Sequence, residues 1–270
     1  MGEPLRASTV VLDTKHSIVA QSLDSPLGAE TVNGDGFGFG WYPGGAGKSE
    51  PALFHSIEPA WTHENLREIT RAIESPLFFT HVRAAAGPPI QQTNCHPFRY
   101  ENWMFMHNGA ISAWPKLKRD LTLEVDPSLY PNVLGTTDSE VVFHLALTYG
   151  LRDDPIDAIG RAMRTVESVG RSHGVQFPWQ GTVALSDGDT LWAFRYSSQG
   201  RTRSLFHSTD IPTLRELYPE VERLAAFGDK AKVVVSEPLN DLPGVFVEVP
   251  ESTAVILDAD GFRHQPFLAA

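Results

Sequence analysis

The chain has 270 residues, 41% of them hydrophobic, which is enough for the core of one large or two small domains. A formal net charge of −11 argues against nucleic acid as a partner. The single cysteine excludes an intrachain disulfide and favours a reducing, cytoplasmic location. Neither a signal-peptide pattern nor a membrane-length apolar run is present, so we expect no membrane partner.

Strand-like segments run through most of the chain. Residues 37–42 alternate as a half-buried strand does, directly after a turn-forming run of glycines, and residues 43–48 have the composition of a loop. In chain order, strands are predicted over residues 16–23, 37–42, 52–55, 77–83, 103–106, 182–186, 191–196, 204–207, 233–236, 245–249 and 254–257.

Helical periodicity is clear in three segments, residues 62–74, 137–149 and 154–172. A fourth helix is predicted over residues 212–227, although Pro219 interrupts it. Helices grouped between sets of strands favour stacked sheets covered by helices. No linker or repeat divides the chain, so we expect one domain over residues 1–270.

Two charged residues could hold the two charges of an amino acid. Arg83, in His81-Val82-Arg83, presents a planar fork of donors suited to a carboxylate. Asp138, in Thr137-Asp138, could pair with an ammonium group. In one small pocket, the two would bind the amino-acid end of glutamine.

Asn108 and Gly109 could stabilise a developing negative charge on an amide oxygen. Asn108 offers a side-chain N–H, and Gly109 offers a backbone N–H without a side chain in the way. Two donors aimed at one carbonyl oxygen form an oxyanion hole. His107 precedes them and His81 lies near Arg83, and we interpret both histidines as hydrogen-bonding supports rather than bases or ligands.

Each motif also has an ordinary structural interpretation. Arg83 could form a surface salt bridge, and Asn-Gly is a common hairpin turn. Thr137 followed by Glu140 is a capping box, in which Asp138 would be a first-turn acid favoured by the helix dipole. The joint pattern, in this order, is much more specific than any single motif.

A family resemblance rests on several stretches together. They are Asn33-Gly34-Asp35-Gly36, His81-Val82-Arg83, Thr93-Asn94-Cys95-His96-Pro97-Phe98, His107-Asn108-Gly109 and Gly135-Thr136-Thr137-Asp138-Ser139. With them, the chain resembles a class II glutamine amidotransferase, a branch of the N-terminal-nucleophile hydrolases. More narrowly, it resembles the stand-alone bacterial type related to the ergothioneine-pathway γ-glutamyl amidohydrolase.

The resemblance covers nearly the whole chain and implies an α+β fold, the four-layer αββα sandwich. It implies that Arg83 holds the substrate α-carboxylate and Asp138 the α-ammonium. Asn108 and Gly109 would form the oxyanion hole. The turn that contains Asn33, Gly34 and Asp35 would support the site close to the reactive N-terminus.

This sequence lacks the nucleophile that is typical of the family. In the family it is a cysteine directly after the initiator methionine, and its freed α-amine serves as the base. Here Gly2 follows Met1, and Gly2-Glu3-Pro4 resembles the turn that follows the family's first strand. We therefore expect that strand to be missing through a misplaced start or a shortened chain, and the chain as written to be inactive. Loss in a dead homologue is the alternative.

Other nucleophiles are weaker candidates. Cys95 precedes His96, but adjacent residues in a strand point to opposite faces, and free cysteines are usually small buried hydrophobes. Ser8 and Thr9 would need an unusual cleavage. The ten histidines show no metal-ligand spacing, so no metal or other cofactor is expected.

The expected function depends on how much of the chain the family resemblance covers. The amidotransferase pattern uses the whole chain and leaves no acceptor domain for ammonia. We expect hydrolysis of a γ-glutamyl amide, from glutamine or a γ-glutamyl conjugate, or delivery of ammonia to a separate subunit. The alternative is a non-catalytic γ-glutamyl-binding or regulatory subunit.

Overall fold

The computed structural model describes residues 1–43, 49–85 and 87–268. Most of the loop predicted over residues 43–48 therefore lies outside the described residues. The helices in the described residues are α1 (Ser8–Val11), α2 (Ile18–Leu23), α3 (Glu64–Ala72), α4 (Trp114–Leu123), α5 (Asp138–Thr148), α6 (Pro155–Ser172) and α7 (Ile211–Leu217).

Antiparallel pairing organises the strands into sheets. The strands are β1 (Leu5–Arg6), β2 (Phe37–Trp41), β3 (Ala52–Ser56), β4 (Glu74–Ser75), β5 (Phe78–Val82), β6 (Phe98–Tyr100), β7 (Trp103–Ile111), β8 (Trp179–Ser186), β9 (Leu191–Ser197), β10 (Phe206–Ser208), β11 (Val234–Val235), β12 (Phe246–Glu248), β13 (Thr253–Asp258) and β14 (Gly261–Pro266). The largest sheet has the order β14-β13-β9-β8-β7-β6, and smaller sheets have the orders β3-β2-β5 and β11-β10-β12.

Buried apolar side chains define the layers. On one face of the six-stranded sheet, Phe105 stacks on Phe143 of α5 with ring centroids 5.1 Å apart, in the cluster shared with α4 and α6. On the other face, Met104 packs with Phe79 of the β3-β2-β5 sheet. Phe37 and Leu66 form a further cluster with residues of α1 and α2. The layers are thus helix, sheet, sheet, helix, and the predicted α+β fold of the αββα type is confirmed.

Residues 16–23 were wrongly predicted as a strand. The segment is helix α2, and Ser17 is its N-cap, with Oγ accepting from Ala20 N at 3.2 Å. The β-branched pair Ile18 and Val19 suggests a strand in isolation. Capping and burial of the helix against its neighbours outweigh that local preference.

The helix predicted over residues 212–227 is also wrong in its length. Helix α7 ends at Leu217, and only a 3-10 turn follows, at Glu222–Ala226. Pro219 has no N–H to donate, so it stops the helix rather than bending it. Helix α4, which begins at Trp114 with Pro115 in its first turn, was not predicted from the sequence.

None of the helices in the three described ranges is long and apolar enough to span a lipid bilayer.

Helix α4 provides a matched test of the helix layer. Leu121 is 0% exposed, whereas Leu123, two residues later, is 68% exposed. We expect Leu121→Ala to lower the free energy of unfolding by about 2–5 kcal/mol because it leaves a cavity in the core. Leu123→Ala should change it by less than about 0.5 kcal/mol. Urea titration followed by circular dichroism measures both, and equal effects would contradict this packing.

Candidate active site

One cavity of about 350 Å³ contains all four residues proposed to contact substrate. Arg83 comes from the carboxyl end of β5, Asn108 and Gly109 from β7, and Asp138 from the first turn of α5. Residues that are far apart in the sequence therefore share one cavity. Asn33, His81 and His107 also line it, whereas Gly34 and Asp35 lie behind the lining.

The Arg83 guanidinium is buried but only partly used. Nη1 donates to Asp35 O at 3.4 Å, and Nη2 donates to Pro88 O at 3.1 Å and to Pro89 O at 3.3 Å. Arginine has five N–H donors, so these bonds leave at least two for another acceptor. With Arg83 5% exposed, such an acceptor must come from inside the cavity.

The Asn33–Gly36 turn holds the segment around Arg83. Asp35 N donates to Arg83 O at 2.9 Å, and Arg83 N donates to Gly36 O at 2.9 Å. The Asp35 carboxylate accepts from Ala85 N at 2.7 Å. Gly36 has a φ of +115°, which disfavours any side chain there. The turn thus fixes the backbone on both sides of the guanidinium.

Asn108 and Gly109 lie within strand β7, not in a hairpin turn. They pair with Thr182 and Gly181 of β8. A Cβ on Gly109 would lie 2.1 Å from Gln180 O and 2.5 Å from His107 Nε2, so the position requires glycine. The Asn108 side chain makes no hydrogen bond to any described residue, and its amide is free to face a ligand.

Asp138 combines a structural and an electrostatic role. It is the first residue of α5, after the N-cap Thr137, whose Oγ1 accepts from Glu140 N at 3.2 Å. Asp138 Oδ2 accepts from Ile111 N at 2.6 Å, and Oδ1 accepts from Ser139 N at 2.8 Å. The carboxylate therefore joins the start of α5 to the end of β7 and remains at the cavity wall.

Three buried histidines surround these groups. His107 Nδ1 lies 2.9 Å from Ser139 Oγ, and its ring stacks on Trp179 with centroids 4.6 Å apart. The rings of His81 and His96 lie 4.4 Å apart. Burial lowers the pKa of all three, to about 4 for His81. These side chains are neutral at neutral pH and add no positive charge beside Arg83.

Cys95 does not reach the cavity. It is 1% exposed, and its Sγ donates to Ser56 O at 3.4 Å. Burial raises the pKa of the thiol, which opposes formation of the thiolate. Ser8 is also buried, and its Oγ donates to Asp13 at 3.0 Å. Neither residue is presented to the four polar residues of the cavity.

Backbone hydrogen bonds hold Met1 in the lining of the cavity. Met1 N donates to Lys232 O at 2.8 Å, Lys232 N donates to Met1 O at 2.7 Å, and Gly2 N donates to Pro76 O at 2.9 Å. Burial lowers the pKa of the α-amine of Met1 to about 5. These bonds place Met1 between the chains that lead into β5 and β11.

The sequence did not predict the strand edges beside Met1 or two of the cavity residues. Strands β5 and β11 each have one edge without a strand partner among the described residues, and both strands line the cavity. His96 and Arg203 also line it. His96 was overlooked because its motif drew attention to the neighbouring cysteine, and Arg203 belongs to no motif.

Comparison with known proteins agrees with the fold. A family model described as class II glutamine amidotransferases matches residues 8–243. The chain belongs to this family, as its resemblance predicted.

Relatives of known name are similar over most of their length. The chain is 32% identical to the probable glutamine amidotransferase DUG3 of Saccharomyces cerevisiae, over 98% of the chain and 82% of that protein. It is 23% identical to the γ-glutamyl-hercynylcysteine sulfoxide hydrolase of Mycolicibacterium smegmatis, over 93% of the chain and 90% of that protein. A class II domain protein from Silicibacter pomeroyi has a similar structure, with a TM-score of 0.69 and 31% identity over 87% of this chain and 92% of that one.

The close packing around Gly109 predicts a stability loss. Gly109→Ala should lower the free energy of unfolding by about 1–3 kcal/mol, because its Cβ would meet backbone that cannot move away. In the control Gly160→Ala, within α6, the nearest atom to a new Cβ is the flexible end of Arg164 at 3.3 Å. That variant should be neutral or gain about 0.5–1 kcal/mol. Urea titration distinguishes them, and a neutral Gly109→Ala would contradict the geometry.

The buried histidines predict acid sensitivity. The pKa of His81 is about 4 in the folded protein, against an ordinary 6.5, so the unfolded chain binds more protons between these values. Stability is therefore lost as the pH falls from 6.5 towards 4, by up to about 1.4 kcal/mol per pH unit for one histidine. In His81→Gln, the loss measured by urea titration between pH 7 and pH 5 should be smaller than in the parent. Identical losses would show that His81 does not contribute.

Proposed function

We propose that this chain, as one domain over residues 1–270, binds a γ-glutamyl amide and hydrolyses it through a cysteine thiol on an N-terminal strand. The observation that carries the proposal is the shared cavity. There the partly used donors of Arg83, the carboxylate of Asp138 and the unbonded amide of Asn108 face one space.

Arg83 and Asp138 bind the amino-acid end of the substrate. At least two free N–H donors of Arg83 take the α-carboxylate, in a buried and therefore strong charge-assisted contact. The Asp138 carboxylate takes the α-ammonium, because its hydrogen bonds to Ile111 and Ser139 hold it in position without neutralising it. A ligand that lacks one of these charges leaves the residue that would bind it without a partner.

Asn108 and Gly109 stabilise the charge that develops on the amide oxygen. The β7–β8 pairing holds both residues rigidly, so their donors need not reorganise during the reaction. The contact strengthens only as the carbonyl oxygen becomes negative. Asn108 should therefore contribute to turnover more than to ground-state binding.

The nucleophile requires a further strand on the amino side of Met1. The reciprocal bonds between Met1 and Lys232, with that from Gly2 to Pro76, have the form of an antiparallel ladder. Continued in the same direction, the ladder would run between the free edges of β5 and β11 towards Arg83. A strand of about 5–6 residues spans about 17–20 Å, which suits the length of β5 and its continuation to Arg83.

In the proposed reaction, the thiol proton passes to the α-amine of the same cysteine. Sulfur bonds to the γ-carbonyl carbon, and the oxyanion is held at Asn108 and Gly109. The carbon–nitrogen bond then breaks, and the leaving amine takes the proton. Water hydrolyses the thioester, which releases glutamate and restores the thiol.

The product amine has two possible destinations. A plain hydrolase releases it to solvent, and we favour this because one relative is named as a γ-glutamyl-hercynylcysteine sulfoxide hydrolase. Delivery of ammonia to a separate subunit is the alternative. One structural neighbour, a phosphoribosylpyrophosphate amidotransferase of Bacillus subtilis, is matched over only 48% of its length. At 16% identity it supports the fold alone.

Ligand binding can be tested without a nucleophile. The protein starting at Met1 should bind L-glutamate in calorimetric titration. Arg83→Ala should weaken binding by about 1.5–3 kcal/mol, and Arg83→Lys should recover only part of it because lysine cannot form the planar fork. Asn108→Ala should leave the affinity nearly unchanged. Thermal melting of each variant separates lost binding from lost folding. Unchanged affinity in well-folded Arg83→Ala would refute the glutamyl site.

Turnover tests the proposed strand separately. The protein starting at Met1 should not hydrolyse γ-glutamyl-p-nitroanilide, whereas a form extended by one short strand beginning with Met-Cys should. The matched control carries serine in place of that cysteine. In the extended form, Asn108→Ala should lower kcat by about 100-fold or more.

The gene itself provides the second check. The upstream nucleotides should encode Met-Cys in frame about one strand, or ~5–6 residues, before Gly2. An in-frame stop codon before any such pair, together with an inactive extended form, would favour a non-catalytic γ-glutamyl-binding or regulatory subunit.

A further inference from the structure

Arg203 is a second guanidinium in the cavity, and the glutamyl site does not use it. It lines the same space as Asn108 and Gly109, yet it forms no ion pair or hydrogen bond with any described residue. Its Nε is buried without an acceptor. Burial lowers the pKa of Arg203, and the charge of Glu30 offsets this only in part. Arg83, by contrast, is held by three backbone carbonyls.

The backbone on both sides of Arg203 is held in place. Thr202 N donates to the Glu251 carboxylate at 3.1 Å, and Ser204 Oγ donates to Ser236 O at 2.8 Å. Leu205 is buried in the cluster between the sheets. These anchors place the backbone of Arg203 beside the cavity, which its half-buried side chain lines.

Hydrogen bonding places the segment of Arg203 beside strand β8. Gln180 Nε2 donates to Arg201 O at 2.9 Å, and Gln180 pairs with Ala110 of β7, the residue after Gly109. Arg203 therefore lines the cavity on its β7–β8 side, near the strand residues that would hold the reacting carbonyl. Glu30, an exposed residue of the cavity lining, raises the pKa of Arg203 but forms no ion pair with it.

We propose that Arg203 binds a carboxylate on the leaving amine, so that the substrates are γ-glutamyl amino acids or peptides in preference to glutamine. This inference rests on the proposed function, because it uses the glutamyl end of the substrate to define the leaving side. A γ-linked amino acid carries its own carboxylate a few atoms beyond the amide nitrogen. That group would satisfy the guanidinium, which glutamine leaves without a partner.

The test compares two ligands that differ only in this charge. L-γ-glutamyl-glycine ends in a carboxylate, and L-γ-glutamyl-glycinamide ends in a neutral amide. Calorimetric titration of the protein starting at Met1 should show tighter binding of the former, on the order of 10- to 100-fold. Arg203→Gln should remove this preference and leave the affinity for the glycinamide unchanged. Arg201→Gln, an exposed arginine two residues away, is the matched control and should keep the preference.

Three results would overturn the assignment. The parent could bind both ligands equally, or Arg203→Gln could retain the preference. Arg203→Gln could also weaken both ligands and L-glutamate to the same extent, which would assign the residue to the glutamyl end or to the fold. Failure of the proposed function looks different, because L-glutamate and both ligands would then fail to bind the parent.

Discussion

The ring of His107 crosses two glycines of adjacent strands, and the site depends on this contact. A Cβ on Gly109 would lie 2.5 Å from His107 Nε2, and one on Gly181 would lie 2.2 Å from it. The ring is held between Trp179 and Ser139, so it cannot move aside. One buried side chain thereby sets the β7–β8 approach and the position of α5, and with them every polar group on that side of the cavity.

The charged groups of the cavity do not neutralise one another. The histidines that pack around it are neutral because burial lowers the pKa of each ring. Hydrogen bonds from backbone N–H groups position Asp138, and backbone carbonyls position Arg83. Because uncharged backbone groups hold Arg83 and Asp138 in position, both charges remain available to a zwitterionic ligand instead of neutralising each other.

Much of this arrangement could be predicted from sequence, because local motifs specify local chemistry. The family and the αββα fold were predicted correctly. The sequence motifs assigned Arg83, Asn108 and Asp138 to one site, and all three line the same cavity. The limits are also physical. Helix α2 depends on the Ser17 cap and on tertiary packing, which outweigh its β-branched residues. Arg203 reaches the cavity through long-range packing of an extended segment, for which a single sequence contains no local signal.

The free edges of β5 and β11 have a consequence for sequence variation. Strand edges recognise backbone N–H and C=O groups, so a segment between them can vary widely in its side chains. Its length cannot vary in the same way, because successive side chains point to opposite faces. In the proposed N-terminal strand, inserting or deleting one residue next to Met1 would turn the thiol from the cavity to the opposite face of the sheet. The proposal therefore implies that odd or even spacing constrains this end of the chain more than residue identity does.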